Sequence, residues 1–217
     1  ALLWVAVAFD MTIPCAGLAG APPSKQNAVS ADQVVSSPVE RLFAQADILM
    51  RADPQKALTV AQNAEGILRD GQSDSGQRHQ LAKALWLQGS AYLRLNDPEH
   101  AEPIIERGLT IVLAERVPSK LYADLLVSRG LLHTSQAKVG NALADFQNAH
   151  NIYRRLKETR NQAIALQQIA SLYREADDFE TAIKYDKQSS EIYKGDFGLD
   201  ISNFNNRGNY FVKNSDY

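Results

Sequence analysis

Histidine and cysteine are the side chains through which this sequence could hold a metal ion. There are four histidines in the chain, His79, His100, His133 and His150. None lies three or four residues from another, which is the spacing that places two ligands on one face of a helix. Cys15 is the single cysteine, so a cysteine-based zinc site and a disulfide framework are excluded. We expect no metal and no cofactor, and we interpret His133 as a packed core imidazole.

The sequence lacks the motifs of nucleotide and acyl-transfer chemistry. It contains no G-x₄-GK-[ST] phosphate loop and no G-x-S-x-G elbow. The string Gly195-Asp196-Phe197-Gly198 copies a magnesium-binding motif of protein kinases, but the other kinase motifs do not accompany it. We interpret this string as a loop between two helices. With no acid–base or nucleophile set visible, we expect no catalytic residue and no enzyme activity in this segment.

Composition narrows the possible partners. The 217 residues carry a formal net charge of −2 at pH 7, which argues against nucleic-acid binding because that needs a basic face. The mean hydropathy of −0.30 excludes a protein with several membrane spans.

The first part of the chain is typical of a targeting segment. The apolar run ALLWVAVAF precedes the small residues of CAGLAG, which predicts a signal peptide or N-terminal anchor over residues 1–19, its start truncated. Asp10 interrupts the apolar region, and Pro14 is a poor match to the lipoprotein pattern that would acylate Cys15. Residues 20–37 are rich in Ala, Ser and Pro and predict a flexible linker. We expect an exported protein, and a cytoplasmic chain is the alternative.

From residue 38 to residue 217 a unit of about 40 residues recurs. Each unit has a small residue, an aromatic or His three places later, and an Ala twelve places after the small residue. The three full sets are Gly89, Tyr92 and Ala101; Gly130, His133 and Ala142; and Ala170, Tyr173 and Ala182. A fourth set begins at Gly208 and Phe211, and its Ala would fall beyond Tyr217, which predicts a truncated last unit.

This spacing predicts a helical hairpin in each unit. A small residue on the first helix allows close approach of the second, whose Ala is expected to face it. Turn residues precede each Ala, and Asp97 before Pro98 has the form of an N-cap followed by proline at the first helical position, as does Asp53 before Pro54. Apolar residues recur at three- and four-residue intervals, and no strand-like alternation appears. The predicted fold is all-α.

The repeated residues resemble the tetratricopeptide repeat family, whose second helix carries Ala-x₃-Phe. The corresponding residues here are Ala142-x₃-Phe146, Ala101-x₃-Ile105 and Ala182-x₃-Asp186. Asp186 departs from the pattern, although Tyr185 beside it could fill the volume. The usual unit has about 34 residues, so the longer steps here resemble a long-repeat subclass. The resemblance implies an α–α superhelix, a solenoid of antiparallel hairpins, with about 4.5 units over residues 38–217.

The resemblance also implies a ligand groove on the concave face, which is lined by the first helices. Side chains near one position past each small residue are expected to face it. The candidates for a peptide-binding groove are Trp86, Ser90, Arg94, Gln167, Ser171, Asn205, Asn209 and Lys213. Asn205 and Asn209 could pair with a peptide backbone, Arg94 and Lys213 could meet a carboxylate, and Trp86 could act as an anchor.

An export signal followed by long repeats resembles the extracytoplasmic sensor part of bacterial signalling proteins. In those proteins a membrane span and a cytoplasmic diguanylate cyclase or histidine kinase domain follow. This resemblance implies a protein or peptide partner, and possible membrane attachment through the N-terminus or a missing downstream span. The charge balance already argues against a nucleic-acid partner. The alternative is a free periplasmic or lipid-anchored scaffold or assembly factor for envelope complexes.

Two local expectations concern the repeats themselves. Pro103 would be the sixth residue of its helix, where it removes the amide that the Glu99 carbonyl needs. We expect a kink or a late helix start there. In the truncated last unit, Phe204 and Phe211 lack the helix that should cover them, so an exposed apolar patch is expected.

Overall fold

The computed structural model describes residues 37–69 and 74–194. These residues form eight α-helices and no strand, which confirms the all-α prediction. The helices are α1 (Pro38–Ala52), α2 (Pro54–Arg69), α3 (Ser75–Arg94), α4 (Pro98–Ala114), α5 (Lys120–Ser135), α6 (Val139–Leu156), α7 (Thr159–Glu175) and α8 (Phe179–Ile192). The predicted signal segment, all of the predicted linker except Ser37, the 195–198 string and the last repeat unit lie outside the described residues.

The helices pack as four consecutive hairpins. Each helix contacts the next one along the chain, and α3 also packs against α5 and α1. The odd-numbered helices are therefore the first helices of their hairpins, and at least three of them lie side by side. Apolar clusters continue from one hairpin to the next, so the described residues form an α–α superhelix in which each unit contacts its neighbours.

Side-chain caps start several helices where the sequence places them. At α1, Ser37 and Glu40 form a reciprocal capping box, each accepting the other's backbone N–H at 3.1 Å. Asp97 caps α4 by accepting the His100 N–H at 3.2 Å, and Asp53 accepts the Lys56 N–H at 3.0 Å before α2. The two predicted Asp-Pro helix starts are thus confirmed.

The turn inside three hairpins has one repeated geometry. Its central residue adopts a left-handed backbone, with φ of 57° at Asn96, 57° at Ala137 and 60° at Asp177. Backbone amides after each first helix return to its last turn, as Asp97 N–H does to the Tyr92 carbonyl at 2.9 Å. This is the Schellman arrangement that ends a helix and reverses the chain.

The glycines of the first helices make room for a large side chain of the second helix. A Cβ added at Gly89 would lie 2.6 Å from Ile105 Cγ1, and one at Gly130 would lie 2.5 Å from Phe146 Cε1. The nearest neighbours of each glycine are therefore not the repeat alanine, as expected from the sequence, but the residue four places after it. The alanines are fully buried beside these contacts.

The last described hairpin fills the same position differently. Asp186 is 0% exposed there, and Arg174 Nη1 donates to its Oδ2 at 3.3 Å. Tyr185 stacks on Tyr173 with ring centroids 5.6 Å apart, so an aromatic ring does take up volume next to Asp186. A buried ion pair and a ring stack thus replace the glycine–phenylalanine contact of the preceding hairpin.

Helix α4 begins at Pro98 and continues through Pro103 to Ala114. The late start that the sequence suggested is therefore wrong. Because a proline within the first turns of a helix removes one hydrogen bond without ending the helix, the element tolerates Pro103.

Candidate functional site

A pocket of about 510 Å³ opens between the first helices α3, α5 and α7. We call it the first-helix pocket. It is lined by Trp86, Ser90, Leu93, Arg94, Asp124, Val127, Ser128, Leu131, Ser135, Tyr153, Asn161 and Ile164. Its volume is within the range of sites that hold small ligands or a few peptide side chains.

Apolar side chains form most of the pocket wall. Trp86 is half-buried, and it packs against the apolar clusters on both sides of α3 while also lining the pocket. Leu131 of α5 is 38% exposed, although it lies on a helix whose other leucines are mostly buried. A tryptophan fixed by the core beside an exposed leucine is a combination suited to holding an apolar group of a partner.

The floor of the pocket carries one buried carboxylate. Asp124 is 7% exposed; its Oδ2 accepts from Lys120 Nζ at 2.8 Å, and its Oδ1 accepts from the Tyr153 hydroxyl at 2.7 Å. Asn161 Nδ2 of α7 donates to the same Oδ1 at 3.3 Å. Burial and the Asp124 charge together raise the pKa of Tyr153 far above its usual value, so this phenol stays protonated as a donor.

The hydroxyls of Ser90 and Ser128 join α3 to α5 across the pocket. Their Oγ atoms are 3.3 Å apart, and Ser128 Oγ also donates to the Asp124 carbonyl at 3.2 Å. Since one hydroxyl has one proton, Ser90 must then donate to Ser128. The lone pairs of Ser90 Oγ are left to accept from a ligand.

Arg94 is exposed at the end of α3 and lines the first-helix pocket. Among residues 37–69 and 74–194 no carboxylate forms an ion pair with it, whereas Asp124 is paired with Lys120. The pocket therefore presents one uncompensated positive charge.

The structure brings together three of the eight predicted groove residues, Trp86, Ser90 and Arg94. Gln167 and Ser171 are half-buried on α7 but do not line the pocket, because α7 enters it nearer its start, at Asn161 and Ile164. The other three, Asn205, Asn209 and Lys213, lie outside the described residues.

Sequence reasoning missed the three polar side chains of the pocket floor: Asp124, Tyr153 and Asn161. A signal for Asp124 exists, since it is the one acidic residue in the apolar helix α5. Tyr153 and Asn161 had no comparable signal, because their partner is 29 and 37 residues away in the chain.

Ion pairs elsewhere connect the helices without forming a pocket. Glu65 of α2 accepts from Gln88 of α3 and from Arg107 of α4, both at 2.7 Å. Burial by itself would raise the pKa of Glu65. The two hydrogen bonds and the charges of Arg107 and Arg69 outweigh burial, so the pKa is lowered. Such contacts fix the helices relative to one another.

A second ionic cluster corrects the interpretation of His133. Arg129 Nη2 donates to Asp145 Oδ1 at 2.8 Å, and His133 Nδ1 lies 3.1 Å from Asp145 Oδ2. His133 is mostly buried, as expected of a packed side chain, but its neighbour is a carboxylate rather than apolar core. Asp145 falls in this position because α6 presents it to α5 one residue before Phe146.

The described residues contain neither a cluster of metal-ligating side chains nor a helix that could span a membrane. Within the described ranges no three His, Cys, Asp or Glu side chains converge as a metal-binding group. Among the helices of the same residues, none is long and apolar enough to cross a membrane.

Comparison with known proteins identifies the repeats. Family models described as tetratricopeptide repeat match residues 82–111 and 121–195. These ranges contain α6, α7 and α8 whole and α4 and α5 nearly whole, as well as both glycine contacts described above. A search of curated protein sequences found no match.

Solved structures of similar fold have low sequence identity to this chain. One is aspartyl phosphate phosphatase F from Bacillus subtilis, with a TM-score of 0.60 and 17% identity over 71% of this chain. The match spans 39% of the length of that phosphatase. Another is a thermophilic tetratricopeptide repeat protein from Thermus thermophilus, with a TM-score of 0.46 and 17% identity, covering 77% of this chain and 98% of that one. The repeat models and the stacked hairpins together show that the chain belongs to the tetratricopeptide repeat family.

Proposed function

We propose that this protein is an interaction module that binds an extended segment of a partner protein in the first-helix pocket. The observation that carries the proposal is the convergence of Trp86, Leu131 and Arg94 from two helices on one open pocket. An exposed leucine and a half-exposed tryptophan stabilise the fold less than they would if covered. A partner that covers them gains apolar burial at about 25 cal/mol per Å².

The pocket floor supports binding rather than catalysis. Asp124 has three donors, and its partner Tyr153 is held protonated. These donors come from α5, α6 and α7, so the carboxylate is already engaged in joining three helices. Its role in the proposal is to keep α5, α6 and α7 in a fixed arrangement under the ligand.

Site-specific photocrosslinking in the source cells tests this function. The photoreactive variant Leu131→p-benzoylphenylalanine should capture a discrete partner protein. The matched control carries p-benzoylphenylalanine in place of Ile67. Ile67 is 49% exposed on α2 and does not line the first-helix pocket. If both positions capture the same proteins, or if position 131 captures none, the pocket is not the binding site.

We also propose that the protein is exported and forms the sensor part of a larger bacterial signalling protein with a diguanylate cyclase or histidine kinase domain. A free periplasmic or lipid-anchored scaffold for envelope complexes is the second candidate. The apolar run at the start of residues 1–19 supports export, and the repeat array supports an interaction role. Fractionation of source cells, followed by immunoblotting, should place the protein outside the cytoplasm. An immunoblot band much larger than the 24.0 kDa of these 217 residues would favour the sensor over the scaffold.

The groove is proposed to continue toward Asn205 and Asn209, whose amides would pair with the bound backbone. The Asn205→Ala, Asn209→Ala double variant should then weaken partner binding, by about 0.5–1.5 kcal/mol for each lost hydrogen bond. Titration of the captured partner against both proteins measures this. Unchanged affinity would restrict the site to the first-helix pocket.

A further inference from the structure

We propose that the segment bound in the first-helix pocket carries an Asp or Glu side chain, which pairs with Arg94, near an apolar side chain that lies against Trp86 and Leu131. This inference rests on the proposed function and adds the chemical class of the partner: an extended segment that carries an acidic side chain close to an apolar one.

The charges in the pocket favour an anion over a cation. Asp124 is the one acidic residue that lines the pocket, and Lys120 Nζ lies 2.8 Å from its carboxylate. Tyr153 and Asn161 both donate to Oδ1 of the same carboxylate. Arg94 has no such partner among the described residues. A ligand cation would thus compete with the Lys120 ammonium for this carboxylate, whereas a ligand carboxylate meets a guanidinium that is ready to donate.

Helix geometry gives the spacing between the two anchoring groups. Trp86 and Arg94 lie one turn before and one turn after Ser90 on the same face of α3. At 1.5 Å per residue, eight residues of helix separate them by ~12 Å. An extended chain advances about 3.3 Å per residue, so the acidic and the apolar side chains should be two to four residues apart, allowing for the length of the arginine.

The middle of the pocket can hold the backbone between those side chains. Ser90 lies between Trp86 and Arg94, and its Oγ lone pairs are left open once its proton goes to Ser128. A backbone N–H of an extended ligand is a donor of the right kind for this acceptor. The pocket therefore has a separate contact for an apolar side chain, a backbone amide and an acid.

Arg94 also has a simpler role, since it is the basic residue in the last turn of α3, where it complements the helix dipole. That role requires no ligand, and removing it would change stability by only a few tenths of a kcal/mol to about 1 kcal/mol. The test must therefore measure which peptides the protein prefers, as well as whether each variant is folded.

A random hexapeptide display library, selected on the immobilised full chain, provides that readout. We expect the selected peptides to be enriched several-fold in Asp or Glu, at a position two to four residues from Leu, Ile, Phe or Met. Selection on Arg94→Gln should lose the acidic preference and keep the apolar one. The matched control is Arg155→Gln, which removes an equal charge from the exposed surface of α6 and should select the same peptides as the unmodified chain.

Affinities of the selected peptides make the test quantitative. Replacing the acidic residue of a selected peptide by its amide, or Arg94 by Gln, should each weaken binding about tenfold, the equivalent of one charge-assisted hydrogen bond. The two changes combined should cost no more than either alone. Fluorescence anisotropy of labelled peptides measures all four combinations, and thermal melts show that each variant is folded.

The outcomes separate this inference from the proposed function. Selection of peptides whose binding is abolished in the folded variant Leu131→Lys would support the proposed binding site. If those peptides are not enriched in acidic residues, or if Arg94→Gln keeps the acidic preference, the inference alone is wrong. If no peptide is enriched over bare resin, or if Leu131→Lys selects the same peptides, the proposed binding site is wrong as well.

Discussion

At the scale of single residues, each of the two middle hairpins has a glycine where an added Cβ would overlap a side chain of the second helix. The Cβ of Gly130→Ala would lie 2.5 Å from Phe146 Cε1 and 2.9 Å from its Cζ. A rigid ring between two helices has little room to move, so overpacking should outweigh the better helix propensity of Ala. We expect the free energy of unfolding in urea to fall by about 1–2 kcal/mol.

The matched control for this prediction is Gly140→Ala, where an added Cβ meets nothing within 4 Å. It should leave stability unchanged or raise it slightly. Equal effects of the two substitutions would mean that Phe146 is free to move away, and that the glycine is not a packing requirement.

Ala137 illustrates a residue that is held in an unfavourable backbone conformation. Its φ of 57° costs a non-glycine residue roughly 1–2 kcal/mol. Because glycine adopts this conformation freely but also gains entropy when unfolded, Ala137→Gly should stabilise the protein by about 0.5–1 kcal/mol. Urea denaturation measures the gain, and Asn96→Gly, at the same position of the preceding hairpin, should gain less because asparagine tolerates this region. A loss of stability in Ala137→Gly would contradict the prediction.

His150 should make stability sensitive to mild acid. Burial is the main cause that lowers its pKa below the usual 6.5, and the charge of Arg154 adds to it. Below about pH 6.5 the unfolded chain takes up a proton that the folded chain resists. The free energy of unfolding contributed by this group is thus intact above pH 6.5 and falls as the pH decreases toward the folded pKa.

The measurement is the difference in urea midpoint between pH 7.5 and pH 5.5. We expect this difference to be smaller in His150→Gln than in the unmodified protein, since the variant has no imidazole to protonate. The same difference in both proteins would mean that other groups account for the acid sensitivity.

At the scale of elements, α4 shows how far local sequence determines a helix. Asp97 and Pro98 start it, while Pro103 weakens it without ending it. Pro103 is exposed, so Pro103→Ala loses no buried contact and restores an amide for the Glu99 carbonyl. An interior proline costs about 3 kcal/mol in a helix; in this early turn we expect Pro103→Ala to raise the free energy of unfolding by about 1–3 kcal/mol.

The control substitution is Pro98→Ala at the first helical position, where proline is favourable. It should be neutral or slightly destabilising in the same urea experiment. If Pro103→Ala gives no gain, the helix already satisfies the Glu99 carbonyl in another way.

At the scale of the whole array, the contact between hairpins can be tested at Gly108. A Cβ there would lie 2.9 Å from Leu125 Cδ2, which joins α4 of one hairpin to α5 of the next. Repeat arrays are stabilised by such interfaces between neighbours. Gly108→Ile should therefore uncouple the part of the array formed by α1–α4 from the part formed by α5–α8. We expect a broader or two-step urea transition with a smaller m-value.

The comparison is with Gly130→Ile, which disrupts packing inside one hairpin. That variant should lower the stability of its own hairpin, whereas Gly108→Ile should leave both halves folded in dilute urea. A single sharp transition in Gly108→Ile, shifted only in its midpoint, would show that the array unfolds as one unit despite the damaged interface.

The sequence by itself determined the helices, their turns and the repeat. The caps Asp53 and Asp97, and the twelve-residue spacing from each small residue to its Ala, act within one hairpin. There the partner residues are close in the chain, and helix geometry fixes which faces meet. For this reason the hairpins could be predicted, together with three of the residues that line the first-helix pocket.

Only the tertiary structure decided where the pocket lies and what forms its floor. Ser90 meets Ser128 across 38 residues, and Asn161 meets Asp124 across 37. Contacts between hairpins depend on the rotation and translation from each repeat to the next, which the packing of whole side chains sets and a motif does not. That rotation brings α7 into the pocket through Asn161 and Ile164, and leaves Gln167 and Ser171 outside it.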